Sequence, residues 1–453
     1  MWQHLDDPAP PVPDVGRYAA VLRRSADLRA QRRWRRSTGI VIAALLAALA
    51  VTSGLSITAR GNGAPAVDTA YQFERQPVPR PGVVVPASAL TDVVFTGTPA
   101  SGATGGTGFA LAVHGQHLVL ARTADGGRTW RVVDGQMPSL GAAAGTATAT
   151  GTAQVQFTSP ADGYYWTAPP VGESPSALWT TSDGGTAWRR APIGPTVYDA
   201  TAIQRNVWAL VGSCPGTGAA CTLWVEVSTD GGTTWHPAAG LVPASVGPAA
   251  SLVELARVST TSAYVYSGVG GAATLAFTSD AGATWSTRPV PCTAPDDLGA
   301  ELALSSTADL WLVCGGQASG GSQEKALFRS SDGGSTWALA AETAGLGSAG
   351  AAAPPGVGAL PVAGYVAPYS IGHKNLAVLT PSTAWLFPLR GVVSVTTDGG
   401  ARWKAVAPLA DAGFGSGAPG NVTFTTDTDG WVVEQGVGLW HTTDGVRWRP
   451  AGG

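Results

Sequence analysis

Short runs of apolar, β-branched and aromatic residues recur along most of the chain, and turn-forming residues bound each run. In the last repeat, Asn421–Phe424, Gly430–Val433 and Gly438–His441 are three such runs, and Trp448 opens a fourth. Runs of this length and composition are typical of short β-strands. The pattern therefore predicts repeated units of four strands each.

One turn sequence follows the third strand of every unit: Ser or Thr, any residue, Asp, any residue, Gly, two residues and Trp. The first copy runs from Thr123 to Trp130, and the last copy is one residue shorter. Successive Asp residues are separated by 46 residues (Asp398 to Asp444) to 66 residues (Asp332 to Asp398). Propeller blades of four strands have this period, so we predict an all-β fold, a seven-bladed β-propeller with four-stranded blades. The Asp residues of the repeat are Asp125, Asp183, Asp230, Asp280, Asp332, Asp398 and Asp444.

The repeated turn is predicted to be structural. Its Ser/Thr hydroxyl and Asp carboxylate can accept hydrogen bonds from backbone N–H groups of the turn, and a Gly two residues after the Asp can take a positive φ. The Trp then anchors the fourth strand against a neighbouring sheet. The seven Asp residues are therefore interpreted as scaffold and not as acidic sites.

This pattern resembles the Asp-box, or bacterial neuraminidase repeat, which is found in sialidases, sortilin-type receptors, some xyloglucan hydrolases and photosystem II assembly factors. The resemblance covers about residues 90 to 450. Because that group contains enzymes, receptors and assembly factors, the resemblance implies the fold and leaves the function open. With the N-terminal anchor described next, the chain is most similar to membrane-tethered bacterial Asp-box propellers.

Residues 39–58 carry no charged side chain and, as a helix, would span roughly the 30 Å core of a bilayer. Arginines cluster before this stretch, whereas Arg60 stands alone just after it, so the positive-inside rule places the N-terminus in the cytoplasm. A cleaved signal peptide is the alternative, but its charged region would be unusually long and no strong cleavage site follows. The preceding arginines are Arg17, Arg23, Arg24, Arg29, Arg32, Arg33, Arg35 and Arg36.

We therefore predict four segments: a cytoplasmic Arg-rich segment (1–38), one transmembrane helix (39–58), a linker (59–89) and the propeller (90–453). The predicted location is the cell membrane, with a single pass and an extracytoplasmic propeller. The formal net charge of −3 and the 13% of charged residues do not indicate nucleic-acid binding.

All four cysteines follow the predicted span, in a compartment that permits disulfides. Cys214 and Cys221 are close in sequence, as are Cys292 and Cys314, and local pairing is predicted. The alternative is four buried thiols. A metal site is not predicted, because no further His or Cys has a suitable spacing.

A four-stranded meander places all seven Asp-box turns on one face, here called the Asp-box face. The strand two to three loops and the connections between blades lie on the opposite, loop face, which is where binding is expected. The long connection there, Thr343–Gly372, ends close to Tyr365, Tyr369 and His373. These side chains either grip a glycan or peptide, or fold the connection back onto the propeller.

The sequence shows no catalytic constellation. A sialidase would need an Arg-Ile-Pro motif and an arginine cluster, but the motif is absent and the arginines are scattered, with Arg128, Arg402 and Arg447 inside the turns. His114 and His117 are interpreted as an ordinary polar turn. Acids expected near the loop face have no evident pairing of the kind that a glycosidase needs. These acids are Glu173, Glu226, Asp296, Asp297 and Glu301.

The function predicted first is a non-catalytic binding or scaffold module that is anchored in the membrane and holds a protein or a cell-envelope glycan on its loop face. The first alternative is a glycoside hydrolase, sialidase-like or xyloglucanase-like, with carboxylates that the sequence does not reveal. The second is a transmembrane sensor that signals through residues 1–38. No cofactor, metal or nucleic-acid partner is predicted.

Overall fold

The computed structural model describes residues 79–96, 106–115, 117–134, 137, 153–167, 176–194, 196–213, 221–246, 253–268, 273–292, 298–343, 356–366, 375–389, 391–406, 419–426, 428–434 and 436–451. All of them fall within the compact unit Glu74–Gly453. The described strands form seven sheets, and each sheet is built from strands that are consecutive in the chain. The predicted seven-bladed β-propeller is confirmed.

Each blade is numbered in chain order. Blade 1 contains β1 (Val84–Val85), β2 (Leu90–Thr96), β3 (Thr107–His114), β4 (His117–Thr123) and β5 (Trp130–Asp134). Blade 2 contains β6 (Ala153–Phe157), β7 (Gly163–Thr167), β8 (Leu178–Thr181) and β9 (Arg189–Arg190). Blade 3 contains β10 (Thr196–Ile203), β11 (Asn206–Ser213), β12 (Cys221–Ser228) and β13 (His236–Val246). Blade 4 contains β14 (Val253–Arg257), β15 (Ala263–Ser267), β16 (Thr274–Thr278) and β17 (Ser286–Arg288).

The remaining three blades follow the same order. Blade 5 contains β18 (Gly299–Leu304), β19 (Leu310–Ser319), β20 (Ser322–Ser330), β21 (Ala338–Glu342) and β22 (Gly358–Ala359). Blade 6 contains β23 (Leu376–Val378), β24 (Ala384–Leu386), β25 (Ser394–Thr396) and β26 (Lys404–Ala405). Blade 7 contains β27 (Pro419–Phe424), β28 (Gly430–Glu434), β29 (Gly438–Thr442) and β30 (Trp448–Pro450).

Two blades carry a fifth strand on the outer edge. β1 pairs antiparallel with β5, so that Val84 lies opposite Arg131, and a 3-10 turn at Ala87–Ala89 leads from it to β2. Residues Val84 and Val85 fall within the predicted linker, so the propeller begins upstream of Leu90. β22 pairs in parallel with β21 on blade 5. In both cases the added strand covers an edge whose backbone groups would otherwise be open.

The hydrophobic core is divided among the boundaries between blades. Among the described residues there is one buried cluster at each of the seven boundaries. At the boundary of blades 1 and 2, the rings of Phe109 and Phe157 stack with centroids 3.6 Å apart. Burial on both faces of each sheet holds neighbouring blades together.

The ring closes where blade 7 meets blade 1. Trp431 stacks on Phe95 with ring centroids 3.8 Å apart, and its Nε1 donates to the carbonyl of Gly126 over 3.3 Å. No described strand is exchanged between the two blades, because each sheet holds only consecutive strands. Packing of aromatic side chains, and not strand exchange, therefore closes this propeller.

No helix within the described ranges has the length and apolar composition needed to cross a membrane. The span predicted at 39–58 lies outside the described residues, as do the cytoplasmic segment and most of the linker.

Candidate functional site

Each Asp-box turn is held by hydrogen bonds among its own residues. In the first copy, the Thr123 hydroxyl donates to Asp125 Oδ1 over 2.7 Å and accepts from the N–H of Gly127 over 3.0 Å. Asp125 Oδ1 also accepts from the N–H of Thr129 over 2.9 Å. The same contacts recur around Asp332. The carboxylate therefore binds groups within its own turn.

These hydrogen bonds favour the ionised carboxylate. The hydroxyl and N–H of Thr336 lower the pKa of Asp332 to about 2. For Asp125, burial acts to raise the pKa, but hydrogen bonds from Thr129 and Thr123 outweigh it and lower the pKa to about 2. A general acid at neutral pH needs a raised pKa and a free proton to give. The Asp-box carboxylates have neither, so they act as turn stabilisers.

The glycines of the turn have two separate tasks. Gly126 and Gly127 have φ values of 72° and 89°, which Gly adopts without steric cost. In the fourth copy, Ala281 takes the first of these positions with φ 59°. The second glycine also packs against the preceding blade, since a Cβ on Gly185 would lie 2.1 Å from Leu120 Cδ2.

Carbonyl groups of the Asp-box turns bind arginines of the preceding blade. Arg189 Nη2 of blade 2 donates to the carbonyl of Gly232 in blade 3 over 3.1 Å. Arg288 Nε of blade 4 donates to the carbonyl of Gly333 in blade 5 over 3.3 Å. On the Asp-box face, adjacent blades are thus joined by cations that bind backbone oxygens.

The opposite ends of the inner strands carry four acidic residues, here called the fastening carboxylates. They lie within the first four residues of β2, β10, β14 and β18, next to the loop face. Asp92 Oδ2 accepts from the N–H of Val155 over 2.7 Å, and Asp199 Oδ2 accepts from the N–H of Leu255 over 2.8 Å. Each acceptor therefore binds the backbone of the next blade. The fastening carboxylates are Asp92, Asp199, Glu254 and Glu301.

The two glutamates make the same kind of contact. Glu254 Oε2 accepts from the N–H of Leu302 over 3.0 Å. Glu301 accepts from the N–H groups of Leu376 and Asn375, both over 2.9 Å, and from the side-chain amide of Asn375 over 2.8 Å. Glu301 was considered as a loop-face acid that could do chemistry, but it is buried and fully engaged. It fastens blade 5 to blade 6.

The inner strands surround a central cavity of about 330 Å³. Asp199 and Glu254 line it toward the loop face, and Arg257 lines it at the opposite end of β14. Burial lowers the pKa of Arg257 to about 9. Trp166 also lines the cavity, and its Nε1 has no hydrogen-bond partner among the described protein atoms. The cavity is therefore acidic at the end where a ligand would enter from the loop face.

A strap, defined as residues 356–366, crosses the loop end of blade 5. The side chain of Lys325 is buried beneath it, and its Nζ donates to the carbonyls of Pro361, Val362 and Ala363 over 3.1, 3.0 and 3.3 Å. Burial lowers the pKa of Lys325 to about 7. The ammonium group nevertheless has backbone oxygens as its partners, and these contacts fix the course of the strap.

Tyr365 belongs to this strap. Its hydroxyl accepts from the N–H of Gly321 over 2.8 Å, and its backbone pairs with Leu389. For Tyr365 the structure thus has the second of the two predicted arrangements, in which the connection folds back onto the propeller. Tyr369 and His373 lie outside the described residues.

The predicted disulfide between Cys292 and Cys314 is confirmed, with the two Cα atoms 5.6 Å apart. It joins the chain after β17 to β19 and so links blades 4 and 5. Cys221 is also disulfide-bonded, and Cys214 lies outside the described residues.

Other candidate groups do not assemble into a catalytic or metal site. His114 and His117 pair across the β3–β4 hairpin. Within the described ranges no three His, Cys, Asp or Glu side chains could hold a metal ion. Glu226 lies two residues before Ser228, near the Asp-box end of β12 and not near the loop face. Glu434 has a pKa raised by burial, but its side chain is fully buried in blade 7, where it offers no surface to a substrate.

Fold and turns together define a seven-bladed β-propeller built on Asp-box turns. The model of the BNR/Asp-box repeat family matches residues 226–237, which hold the third copy of the turn. No protein with a curated description matches the sequence.

Several solved structures are similar in architecture. YCF48 from Cyanidioschyzon merolae has 13% identity, with 81% of this chain and 97% of that chain covered and a TM-score of 0.49. A polysaccharide lyase, an ulvan lyase, has 12% identity, 81% and 97% coverage and a TM-score of 0.46. An α-L-arabinofuranosidase from Fusarium graminearum has 13% identity, 62% and 86% coverage and a TM-score of 0.39. Identities this low carry no information on activity.

Sequence reasoning missed Asp92, Asp199 and Glu254 and named Glu301 only as an acid near the loop face, although a weak signal for the fastening role exists. Each stands at the start of an inner strand and directly precedes an apolar residue, as Asp92 precedes Val93 and Glu301 precedes Leu302. Since two residue types are used and blades 2, 6 and 7 lack the acid at this place, the signal does not form a motif.

Proposed function

We propose that this chain is a membrane-anchored, extracytoplasmic binding module that is not itself catalytic. The apolar stretch at 39–58 is its anchor, and the loop face of the propeller holds a protein or a cell-envelope glycan. The anchor carries the propeller outside the cytoplasm, where disulfides such as Cys292–Cys314 are stable.

The observation that carries this proposal is the engagement of the fastening carboxylates. A glycosidase needs one carboxyl group that is protonated and another that can reach the sugar. At the loop-face ends of the inner strands, Asp92 and Glu301 are buried and bind backbone N–H groups of the next blade. Such bonds occupy the carboxylate oxygens and hold the side chain away from a substrate. These acids support a scaffold role.

The loop face also differs from the Asp-box face in what it exposes. Regular turns, each bonded internally, cover the Asp-box face. On the loop side, the β3–β4 hairpin, the strap and the β28–β29 hairpin expose Val113 (40%), Val362 (39%) and Val437 (49%). Irregular segments held on a rigid scaffold are the usual place for recognition.

Photo-crosslinking in the cell tests the proposal. A photoreactive amino acid at Val437 on the loop face should capture a protein or glycan partner. The matched control is Val446, which lies on the Asp-box face of the same blade and is 43% exposed. Captured material is identified by mass spectrometry, and capture at Val437 without capture at Val446 supports the proposal.

Two results would overturn it. The first is equal capture at both sites, which would mean that the loop face is not selective. The second is hydrolysis of a member of a glycan panel by the purified chain, lost on Glu254→Gln, which would establish the glycoside hydrolase instead. The sensor hypothesis concerns residues 1–38 and stays a prediction.

A further inference from the structure

Blades 1 to 3 expose a group of arginines on their Asp-box side, here called the arginine cluster. All six are exposed, and none takes part in an ion pair within the described ranges, where the ion pairs involve Arg402, His441 and Arg447 instead. The members of the arginine cluster are Arg122, Arg128, Arg131, Arg189, Arg190 and Arg205.

Three members converge on the boundary between blades 1 and 2. Arg122 and Arg131 are directly opposite in the β4–β5 register, so their side chains leave the same face of the sheet. The Arg122 guanidinium lies 5.6 Å from the centre of the Phe109 ring, which belongs to the core cluster of this boundary. Arg190 is opposite Trp179, which packs on that cluster from blade 2. Arg122, Arg131 and Arg190 therefore all lie at the boundary between blades 1 and 2.

Two further members extend the cluster to blade 3. Arg189 Nη2 donates to the carbonyl of Gly232 over 3.1 Å, and Arg205 Nη2 donates to the carbonyl of Asp230 over 2.7 Å. Both guanidinium groups thus rest on the same Asp-box turn. Arg189 and Arg190 are consecutive in β9 and leave opposite faces of the sheet, so Arg190 lies toward blade 1 and Arg189 toward blade 3.

Four other cations of the Asp-box face are either paired with an acid or half-buried. Arg402 and Arg447 lie 3.7 and 2.7 Å from their own Asp-box carboxylates. Arg257 and Arg329 stack over the rings of Trp208 and Trp311. The six arginines of the cluster outnumber the Asp-box carboxylates of the same three blades, Asp125, Asp183 and Asp230. Like charges in excess repel one another, and this repulsion is relieved when a polyanion binds.

The chain joins the propeller beside this surface. Arg131 Nη1 donates to the carbonyl of Gly82, and β1 follows at Val84, on the outer edge of blade 1. Arg80 is exposed at the start of this stretch. In the sequence, residues 59–78 separate this point from the span predicted at 39–58.

We propose that the arginine cluster docks the propeller onto the anionic headgroups of the membrane that holds the anchor. Guanidinium groups bind headgroup phosphates through paired N–H donors, and each strengthens binding to an anionic surface about five-fold. Docking turns blade 1 toward the bilayer and sets how the loop face is presented. This inference rests on the membrane anchoring in the proposed function.

The test uses the full chain in lipid nanodiscs of two compositions, phosphatidylcholine alone and phosphatidylcholine with phosphatidylglycerol. Hydrogen–deuterium exchange is followed in peptides that cover β4, β5 and β9. Slower exchange is expected in the anionic discs, and high salt should abolish the difference. The variant Arg122→Gln/Arg190→Gln should weaken docking about 25-fold.

The matched control is Arg402→Gln/Lys404→Gln, which removes the same number of charges from blade 6 and should keep the slow exchange. Equal exchange in both discs, or equal effects of the two double variants, would overturn the proposal. So would protection by a soluble anionic polysaccharide without any by anionic discs. Failure of the chain to copurify with either disc would refute the anchoring and the docking together, whereas copurification without protection refutes docking alone.

Discussion

The two ends of the blades use opposite charges for the same purpose. On the Asp-box face, cations such as Arg189 donate to backbone carbonyls of the next blade. On the loop face, anions such as Glu301 accept from backbone N–H groups of the next blade. In this propeller no described strand is exchanged between blades. Polar contacts between neighbouring blades therefore add to the stability that the apolar core supplies. The two kinds of contact differ in burial, since Arg189 is exposed whereas Glu301 is buried.

That difference has a functional consequence. Among the described residues, the four fastening carboxylates of the loop face are engaged by backbone N–H groups of the next blade. The cations on the Asp-box side of blades 1 to 3, including the fastening Arg189, are exposed and form the arginine cluster. Function is therefore expected to divide between the faces, with partner recognition on the loop face and orientation on the Asp-box side.

The largest effect is expected when a buried fastening carboxylate is removed. Glu301→Ala leaves the N–H groups of Asn375 and Leu376 and the amide of Asn375 without an acceptor. Because these donors lie in a buried site, we expect a loss of about 3–5 kcal/mol in the free energy of unfolding. Denaturant unfolding measures it, with half-buried Glu342 changed to Ala as the control. A loss below about 1 kcal/mol would contradict the fastening role.

The close approach of an Asp-box to the preceding blade gives the next largest effect. A Cβ on Gly185 would lie 2.1 Å from Leu120 Cδ2, and its φ is 90°. We expect Gly185→Ala to destabilise the chain by about 2–3 kcal/mol through overpacking and backbone strain. The double variant Gly185→Ala/Leu120→Ala tests the cause, since removing Leu120 should relieve the steric part. If Leu120→Ala only lowers the free energy of unfolding further, the contact with Leu120 is not the reason that position 185 requires Gly.

The sequence defines the scaffold well because the Asp-box is local. Thr123, Asp125, Gly127 and Trp130 lie within eight residues and bond to one another, so their spacing reveals the turn and its repetition reveals the blades. The edge strand at Val84 escaped notice because two residues show no periodicity.

The surfaces are less predictable because they depend on register. Nothing in the sequence relates Arg122 to Arg131, yet antiparallel pairing sets them opposite each other. Glu301 finds its partners 74 and 75 residues further along the chain. Arginines interpreted as scattered therefore form a cluster, and an acid considered for chemistry is a fastener.

Acidification should act on the Asp-box face in a predictable direction. Hydrogen bonds lower the pKa of Asp125 from 3.8 to about 2. A lowered pKa contributes stability that is present above 3.8 and is lost as the pH falls toward 2. Thermal unfolding from pH 6 to pH 2.5 should show this loss, and Asp125→Asn should reduce its slope. At neutral pH, Asp125→Asn should lower the free energy of unfolding by about 1 kcal/mol, as the loss of a capping side chain does. This loss is smaller than the one expected for Glu301→Ala.

The smallest expected effect concerns the one Asp-box whose first glycine is replaced. Ala281 has a φ of 59°, whereas the equivalent Gly126 has 72° without the cost that a Cβ imposes there. Ala281→Gly should therefore stabilise the chain by about 0.5–1 kcal/mol, because relief of left-handed strain exceeds the added freedom of the unfolded chain. The reverse change, Gly126→Ala, should destabilise by a similar amount. Differential scanning calorimetry on both variants measures these changes. If Ala281→Gly lowers the melting temperature, the packing of the Ala281 methyl group at the boundary of blades 3 and 4 contributes more than the backbone strain costs.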